Sequence, residues 1–344
     1  MSRIRFFAAI IVALIGGLVT TSAATSAATA AADRTSRYRI AMIVYRGCED
    51  ACRGFHDYLA ARKIPADVEI LDAATDRRRL LDHIARVRRD KPDLLVTWGT
   101  TVSLEALGPF DAVDPARHIV DTAAVFMIVS NPVESRLVPN LQSSGRNVTG
   151  TRYLVPVETQ LKAARSYLPF SRLAVIYNPL EENSRLTVAS LRRLAATEDF
   201  TLIERQVGLR DGAPDPASIA PLMAGIRKAG AQLLYQPPDT FLHIQRDMLT
   251  AAATAMRIPV LAAAEAPVLN SQALMGVVNR YYTVGQLTAA QAEKILIGKV
   301  APRDIPIMAP RNFSFLVNMR VARELQRYPP MKVLRFAEVV QVGK

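Results

Sequence analysis

The sequence has few of the residues on which metal sites and disulfide-rich scaffolds depend. It contains two cysteines and four histidines in 344 residues. Two cysteines exclude a disulfide-dense scaffold and a zinc site made of four thiolates. The histidines are scattered without metal-ligand spacing, at His56, His83, His118 and His243. We therefore expect no metal and no other cofactor.

Motifs of catalysis and of nucleotide binding are also absent. The chain has no G-x-G-x-x-G, no G-x-x-x-x-G-K-S/T, no G-x-S-x-G and no H-E-x-x-H. Nothing in the sequence positions a serine–histidine–aspartate triad. Motifs of known enzymes are therefore scarce in this sequence. An enzyme is the less favoured reading, and it would rely on a carboxyl group such as that of Asp239 or Glu265.

Acidic residues are fewer than basic ones, 31 against 43, which gives a formal net charge of +12. Such an excess is compatible with nucleic acid or an anionic membrane surface as a partner. The densest arginine cluster lies on a predicted helix over 76–90, mixed with aspartates and opposite an apolar stripe, as on a solvated helix face. No aromatic residues interleave with these arginines to stack on bases. We expect no nucleic-acid partner.

The N-terminus has the three parts of a secretory signal in order. Arg3 and Arg5 precede an apolar run over 6–19, and small residues follow up to about residue 32. The apolar run has about 14 residues, fewer than the roughly 20 that span a bilayer. A cleaved signal peptide over 1–32 is therefore favoured over a retained membrane anchor. We expect the mature chain to be exported to the periplasm.

The two cysteines, Cys48 and Cys52, lie four residues apart. An oxidising compartment permits a disulfide between them, because helical geometry places such residues about 6 Å apart. The same two residues follow one helical stripe with Phe55 and Leu59, so core-facing thiols explain them equally well. The spacing excludes a redox Cys-x-x-Cys motif.

Apolar strands alternate with amphipathic helices along the chain. The first series has strands at 39–45, 66–71, 93–97, 124–129 and 147–154 and helices at 49–63, 76–90 and 100–107. The second has strands at 172–177, 200–206, 232–236 and 259–262 and helices at 182–198, 216–229 and 240–256. Such alternation is typical of parallel sheets covered on both faces. Two series with a break near 155–156 predict two doubly wound α/β domains.

The C-terminal segment 273–344 resembles neither a third domain nor a tail. It has predicted strands at 274–277 and 313–317 and helices at 281–298 and 318–326. We expect these elements to return to the two sheets and complete them.

Open parallel sheets bind ligands outside the carboxyl ends of their strands. Polar or turn-forming residues follow each strand here, and they give the candidate ligand-binding residues Tyr45, Arg46, Thr100, Thr101, Ser130, Asn131, Asn178, Asp239, Thr240 and Glu265. Thr100 and Thr101 begin a predicted helix, where backbone N–H groups and the helix dipole receive an anion such as a carboxylate. Plain N-capping explains the same two residues.

One stretch resembles the signature of a known family. It reads AVFMIVSNPV over 124–133, continues through Leu137 and Val138, and ends in GRNVTG over 145–150. This is similar to ABC-transporter substrate-binding proteins of the tryptophan/tyrosine type, whose usual form is an apolar strand, Asp-Pro-Val, Gly-Leu-Val and Pro-Gly-Gly-Asn-Val-Thr-Gly. Further family pieces follow in the expected order at 98–101, 172–179, 305–306 and 313–322, so the resemblance covers about residues 37–341.

The resemblance implies a periplasmic-binding-protein-like fold, with two parallel-sheet lobes joined by a three-crossover hinge. One lobe comprises 33–155 plus about 279–308, and the other 156–278 plus about 309–344. A small ligand is expected in the cleft between the lobes, which close over it by hinge bending. The protein is then expected to act as a monomer that docks on an ABC permease in the inner membrane.

The sequence departs from the family pattern at two acidic positions. Asn131 stands where the family has the aspartate of Asp-Pro-Val, and Asn279 and Arg280 stand at the second. A desolvated ammonium group needs a carboxylate or a strong acceptor cage. An amino-acid ligand would therefore depend on Asp239 or Glu265, whereas Arg46 or Arg280 would favour a carboxylate ligand. The ligand is expected to be amino-acid-like or a carboxylate. An exported sensor of the same fold that signals to a membrane kinase is the alternative function.

Overall fold

The structure is a computed structural model that describes residues 37–340. The predicted signal peptide over 1–32 lies outside the described residues. Within the described part of the chain, no helix has both the length and the apolar character needed to cross a membrane.

The first lobe is built on a parallel sheet of five strands in the order β2-β1-β3-β4-β5. The strands are β1 (Tyr38–Val44), β2 (Ala66–Asp72), β3 (Leu94–Trp98), β4 (Ala124–Val129) and β5 (Val148–Arg152). The helices of this part of the chain are α1 (Asp50–Ala61), α2 (Arg77–Asp90) and α3 (Thr100–Leu107). Because strand side chains alternate, Ile40 and Met42 of β1 pack in the core beneath α1, and Ala41 and Ile43 in the core beneath α2 and α3.

The second lobe is built on a sheet of seven strands. They are β6 (Arg172–Tyr177), β7 (Thr201–Gln206), β10 (Leu233–Gln236), β11 (Val260–Ala262), β12 (Met275–Val278), β13 (Ser314–Asn318) and β14 (Ala337–Val340), and the hairpin β8 (Leu209–Arg210) and β9 (Ala213–Pro214) lies outside that sheet. The sheet order is β14-β13-β12-β11-β10-β6-β7, and only the pair β12 and β13 is antiparallel among these described strands.

The remaining helices cover the second sheet, with one exception. They are α4 (Val157–Tyr167), α5 (Glu182–Thr197), α6 (Ile219–Lys228), α7 (Thr240–Ile244), α8 (Arg246–Ala255), α9 (Ala266–Leu269), α10 (Tyr281–Leu296), α11 (Met319–Leu325) and α12 (Met331–Leu334). The exception is α10, whose Val284, Ala289 and Ala292 lie in the core of the first lobe.

The C-terminal segment does not complete both sheets in the same way. Both returning strands join the second sheet as β12 and β13, whereas the first sheet gains α10 and a single parallel bridge between Thr151 and Met308. The helix predicted over 240–256 is divided into α7 and α8 at Gln245, and α4, α9, α12, β8, β9 and β14 were not predicted. The chain passes between the sheets three times, after β5, after β12 and before β13.

Two glycines fix α10 to the first lobe. Gly285 of α10 lies against the backbone of α1, where a Cβ atom would overlap the Ala51 carbonyl oxygen. Gly54 of α1 faces α10 in the same way, because its Cβ atom would overlap the Tyr282 carbonyl oxygen. The helix axes approach closely only because neither position carries a side chain.

Candidate ligand-binding cleft

The carboxyl ends of β1, β3, β4 and β10 converge on one cavity between the two lobes. It contains about 570 Å³ of space free of protein atoms, including its opening to solvent. Seven of the predicted site residues line it: Tyr45, Arg46, Thr100, Thr101, Ser130, Asp239 and Thr240. They meet because parallel strands place all their carboxyl ends at one edge of each sheet.

The other four predicted residues do not line this cavity. The Asn131 backbone carbonyl accepts the Ser135 N–H, and the Asn178 backbone N–H donates to Asp239 Oδ2 at 2.8 Å. Arg280 Nε lies 2.5 Å from Glu265 Oε2, and Arg280 also pairs with Glu338. The charges of Glu265 and Arg280 thus neutralise one another at the second crossover instead of facing the cavity.

The side of the cavity that is formed by residues of the first lobe is called the first wall, and Arg46 is its cationic side chain. Its guanidinium carbon lies 4.5 Å from the centre of the Trp98 ring, and its Nε donates to Glu49 Oε1 at 2.7 Å. Its Nη1 reaches across the cleft to Thr240 Oγ1 at 3.3 Å. These contacts fix the plane of the guanidinium group.

The first turn of α3 presents hydrogen-bond donors to the cavity. Gly99 makes the turn from β3 into α3 with φ +87°, a conformation that favours glycine. It provides no side-chain cap, so the first N–H groups of α3 lack an intrahelical or capping partner. Thr100 Oγ1 and Trp98 Nε1 are buried here without a hydrogen-bond partner in the described part of the chain. The wall therefore suits an anionic or acceptor group.

A bulge in β4 shapes the floor of the cavity. Ile128 has φ +55°, and the pairing register with β5 shifts between Phe126 and Val129. Met127 and Ile128 consequently face the same core, which breaks the alternation of the strand. A β-branched residue at positive φ costs roughly 1–3 kcal/mol, a strain typical of functional sites. The bulge brings Ile128 and Ser130 together into the cavity lining.

Three aromatic rings form an apolar side of the cavity. Tyr281 meets Trp98 edge to face with ring centres 6.2 Å apart, and it meets Tyr153 at 5.3 Å. Burial raises the pKa of both tyrosines, so their hydroxyl groups stay protonated. Flat apolar groups pack favourably against such rings.

The opposite side of the cavity, formed by residues of the second lobe, is called the second wall. Two carboxyl groups at this wall accept hydrogen bonds from other groups of the second lobe. Asp239 caps α7, its Oδ1 accepting the Leu242 N–H at 2.9 Å and its Oδ2 the Ser184 hydroxyl at 2.6 Å. Glu181 accepts the Thr240 N–H at 2.9 Å. Burial raises the pKa of both carboxyl groups, and for Glu181 the neighbouring Asp239 adds to burial and brings the pKa to about 7.

His243 adds an uncharged ring to the second wall. Its Nε2 lies 3.6 Å from Glu49 Oε1 of the first lobe. Burial, together with the guanidinium groups of Arg46 and Arg246, lowers the pKa of His243 to about 2. The imidazole is therefore neutral at physiological pH.

Several polar and aromatic lining residues were not predicted. They are Trp98, Tyr153, Asn183, Gln236, His243 and Tyr281. Trp98 and Gln236 end strands β3 and β10, so their positions carried a signal, and Trp98 is the only tryptophan of the sequence. Tyr153 and Tyr281 lie on the crossovers, where the sequence pattern does not show which residues face the cleft.

The two cysteines flank the start of α1, beside the cleft. Cys48 and Cys52 form a disulfide, with Cα atoms 5.6 Å apart. Cys52 is buried, whereas Cys48 precedes the helix and is exposed, so the two do not form one core-facing pair of thiols.

The chain is similar in sequence to a known protein family and to a characterised relative. The ABC transporter substrate binding protein family matches residues 40–341. A tyrosine-binding protein of Clostridioides difficile is 27% identical over 199 residues, which are 58% of this chain and 55% of that protein. The chain thus spans about half the length of that relative.

Solved structures share the fold. An ABC domain in complex with L-Trp from Streptococcus pneumonia is 20% identical, covers 88% of this chain and 100% of its own, and has a TM-score of 0.75. A conserved domain protein from Vibrio cholerae is 22% identical, with 88% and 99% covered and a TM-score of 0.77.

These matches confirm the family resemblance and the two-lobed α/β fold of the periplasmic-binding-protein type. The matched family is one of substrate-binding proteins, not of enzymes. The chain belongs to the ABC transporter substrate-binding protein family.

Proposed function

We propose that the protein is exported to the periplasm and captures a small, amino-acid-like carboxylate in the cleft. It then delivers this ligand to an ABC permease in the inner membrane. The observation that carries the proposal is the donor-rich first wall, in which Thr100 Oγ1 and the start of α3 face the same cavity as Arg46. The family match favours transport over the alternative of a sensor that signals to a kinase.

The composition of the first wall supports a binding site for a carboxylate. The uncapped N-terminus of α3 offers N–H groups and a favourable dipole, and Arg46 offers a charged donor held in place by Glu49 and Trp98. A charge-assisted hydrogen bond is roughly twice as strong as a neutral one. The carboxylate of the ligand is thus expected to lie against this wall.

The aromatic rings support a ligand with a flat apolar part. Trp98, Tyr153 and Tyr281 line one side of the cavity. The relative named as tyrosine-binding and the structure solved with L-Trp favour an aromatic amino acid or a close analogue.

Contacts across the cleft support hinge closure. Arg46 reaches Thr240, and Glu49 approaches His243, so residues of the two lobes touch across the cleft. At the crossovers, Asn279 Nδ2 donates to the Tyr153 carbonyl at 2.7 Å. The two lobes expected to rotate about these crossovers are those predicted from the sequence, 33–155 with about 279–308 and 156–278 with about 309–344.

A ligand screen tests the proposal. The unfolding temperature is measured with L-tryptophan, L-tyrosine and L-phenylalanine, with their deaminated carboxylates, and with the corresponding amides, which lack the carboxylate. A true ligand present at 100 times its Kd stabilises the protein by about 2.7 kcal/mol. Carboxylates are expected to stabilise the protein and amides to have no effect. Stabilisation by the amides alone, or by none of these compounds, would contradict the proposal.

Two threonine substitutions separate the site from general effects on folding. Thr100→Val removes a buried hydroxyl without a protein partner and is expected to weaken binding about tenfold while the ligand-free protein keeps its stability. Thr254→Val is the matched control, because the Thr254 hydroxyl is likewise buried and unpartnered in the described structure but does not line the cavity. Equal effects of both substitutions on binding would count against a carboxylate-binding site at the start of α3.

A further inference from the structure

Three buried side-chain atoms in the cleft lining have no hydrogen-bond partner within residues 37–340. They are Trp98 Nε1, Thr100 Oγ1 and Gln236 Oε1. The residues are only 3%, 4% and 2% exposed, respectively. Buried polar atoms are nearly always satisfied in folded proteins, so three such atoms on one cavity indicate a ligand that completes them.

The orientation of the Gln236 side chain is fixed by its other end. Its Nε2 donates to the Leu242 carbonyl at 3.2 Å. A carbonyl oxygen only accepts hydrogen bonds, so the opposite orientation of the amide would place two acceptors against each other. Gln236 therefore offers the cavity an acceptor, Oε1, and not a donor.

The three atoms lie on opposite sides of the cleft and differ in character. Trp98 and Thr100 belong to the end of β3 and the start of α3 in the first lobe, and the indole N–H can only donate. Gln236 ends β10 in the second lobe. A ligand that satisfies all three must present an acceptor to the first lobe and a donor to the second.

The nearby carboxyl groups do not accept the hydrogen bond that the ligand donates to the second lobe, because they are already bonded to the protein. Both oxygens of Asp239 accept hydrogen bonds from the protein, and Glu181 accepts the N–H of Thr240. Glu265 is paired with Arg280 and does not line the cavity. The expectation that an amino-acid ligand depends on Asp239 or Glu265 is therefore not met. The second wall instead meets the donor of the ligand with the uncharged amide oxygen of Gln236.

We propose that Gln236 determines specificity by accepting a hydrogen bond from an N–H group of the ligand, whose carboxylate lies against the first lobe. The inference rests on the proposed function and specifies its ligand. The ligand carries a carboxylate and a nitrogen donor that face different walls of the cleft, as the two groups on the Cα of an α-amino acid can. A deaminated carboxylate lacks that donor and leaves Gln236 Oε1 unsatisfied, so it binds about tenfold more weakly.

A cycle of two variants and two ligands tests the proposal. L-tyrosine and 3-(4-hydroxyphenyl)propionate differ only in the amino group, and both are titrated against the fluorescence of Trp98, the only tryptophan of the chain. Wild type is expected to prefer L-tyrosine about tenfold. Gln236→Met is expected to lose this preference by weakening L-tyrosine alone, with the affinity for the deaminated acid unchanged.

A matched control and the wild-type data keep the test decisive. Gln206→Met removes a glutamine that ends β7 of the same sheet and donates to the Tyr177 hydroxyl outside the cavity, and it is expected to keep the preference. Equal binding of both compounds to wild type, or an equal loss for both in Gln236→Met, would overturn the role of Gln236 alone. If neither compound binds but another amino acid stabilises the protein in the ligand screen, the cycle is run with that amino acid and its deaminated acid. If no amino acid or carboxylate binds, the proposed function falls as well.

Discussion

Each lobe has a helix that begins at the cleft, and the two helices differ in whether a side chain caps the N-terminus. In the first lobe, β3 leads through Gly99 into α3, and no side chain of the described residues caps the helix. In the second lobe, β10 leads through Asp239 into α7, and the Asp239 carboxylate caps the helix while Glu181 accepts the Thr240 N–H. Free N–H groups attract an anion, whereas capped ones do not. The comparison indicates that the first lobe receives the anionic end of the ligand.

The lobes also differ in how they are assembled. The second sheet collects the strands that return from the C-terminal segment, whereas the first lobe obtains α10, which packs on α1. The first lobe therefore depends on a helix about 130 residues beyond its last strand, at a contact made without side chains (Gly54 and Gly285). Substitutions that act on one lobe sharpen this comparison.

The largest effect is expected from Gly285→Ala. The new Cβ atom would overlap the Ala51 carbonyl oxygen, and neither helix backbone can move without disturbing the core of the first lobe. We expect the free energy of unfolding to fall by about 3 kcal/mol. Urea unfolding followed by circular dichroism and by Trp98 fluorescence measures the loss. If unfolding stayed unchanged, the close packing of α1 and α10 would be wrong.

Much of this assembly follows from the sequence, because the strands are continuous apolar runs. The predicted strands 124–129 and 172–177 and the helix 100–107 have the bounds seen in the structure. Helix α4 was missed because it directly follows the break between the two series at Pro156, although Val157, Leu161 and Ala164 follow helical spacing. The bounds of these strands and helices depend on the spacing of apolar residues in the same segment, so they could be predicted from the sequence.

The candidate site was less accessible, because its contacts join distant parts of the chain. The strand-end rule found Arg46 and Thr100, whose positions depend only on where a strand stops. It could not show that Asp239 bonds Ser184, which is 55 residues away. Nor could it place Tyr281, which faces the cleft only because the second crossover brings α10 back to the first lobe.

A smaller effect is expected from reduction of the Cys48–Cys52 disulfide. Both cysteines of the sequence lie in the first lobe, so reduction acts on that lobe alone. A bridge that closes a loop of about five residues stabilises by about 2 kcal/mol in the chain-entropy account. Urea unfolding with and without reductant, followed by Trp98 fluorescence, measures the difference. Faster hydrogen exchange confined to the second lobe would contradict this placement.

The next effect concerns the second lobe and pH. Burial and the neighbouring Asp239 raise the pKa of Glu181 from 4.5 to about 7, so between these values the folded protein holds a proton that the unfolded chain releases. Stability from this group is complete below the lower value and is lost as pH rises towards the upper one, by up to about 1.4 kcal/mol per pH unit. Unfolding free energies at pH 5 and pH 6 measure the slope.

Glu181→Gln is expected to remove this part of the pH dependence. Glu158→Gln, at an exposed position on α4 of the same lobe, is the control for the loss of one carboxyl group. If wild type and Glu181→Gln lost stability equally between pH 5 and pH 6, another group would account for the slope.

The smallest effect is expected from Gly225→Ala in α6 of the second lobe. Gly225 lies in the helix interior, and a Cβ atom there would meet only Arg205 Nε at 3.7 Å, an ordinary contact. Alanine is favoured over glycine in a helix interior, so we expect the free energy of unfolding to rise by about 0.5–1 kcal/mol. The same substitution thus has opposite signs in α6 and α10. If Gly225→Ala destabilised the protein as Gly285→Ala does, the loss at Gly285 would reflect glycine replacement in general and not the contact between α1 and α10.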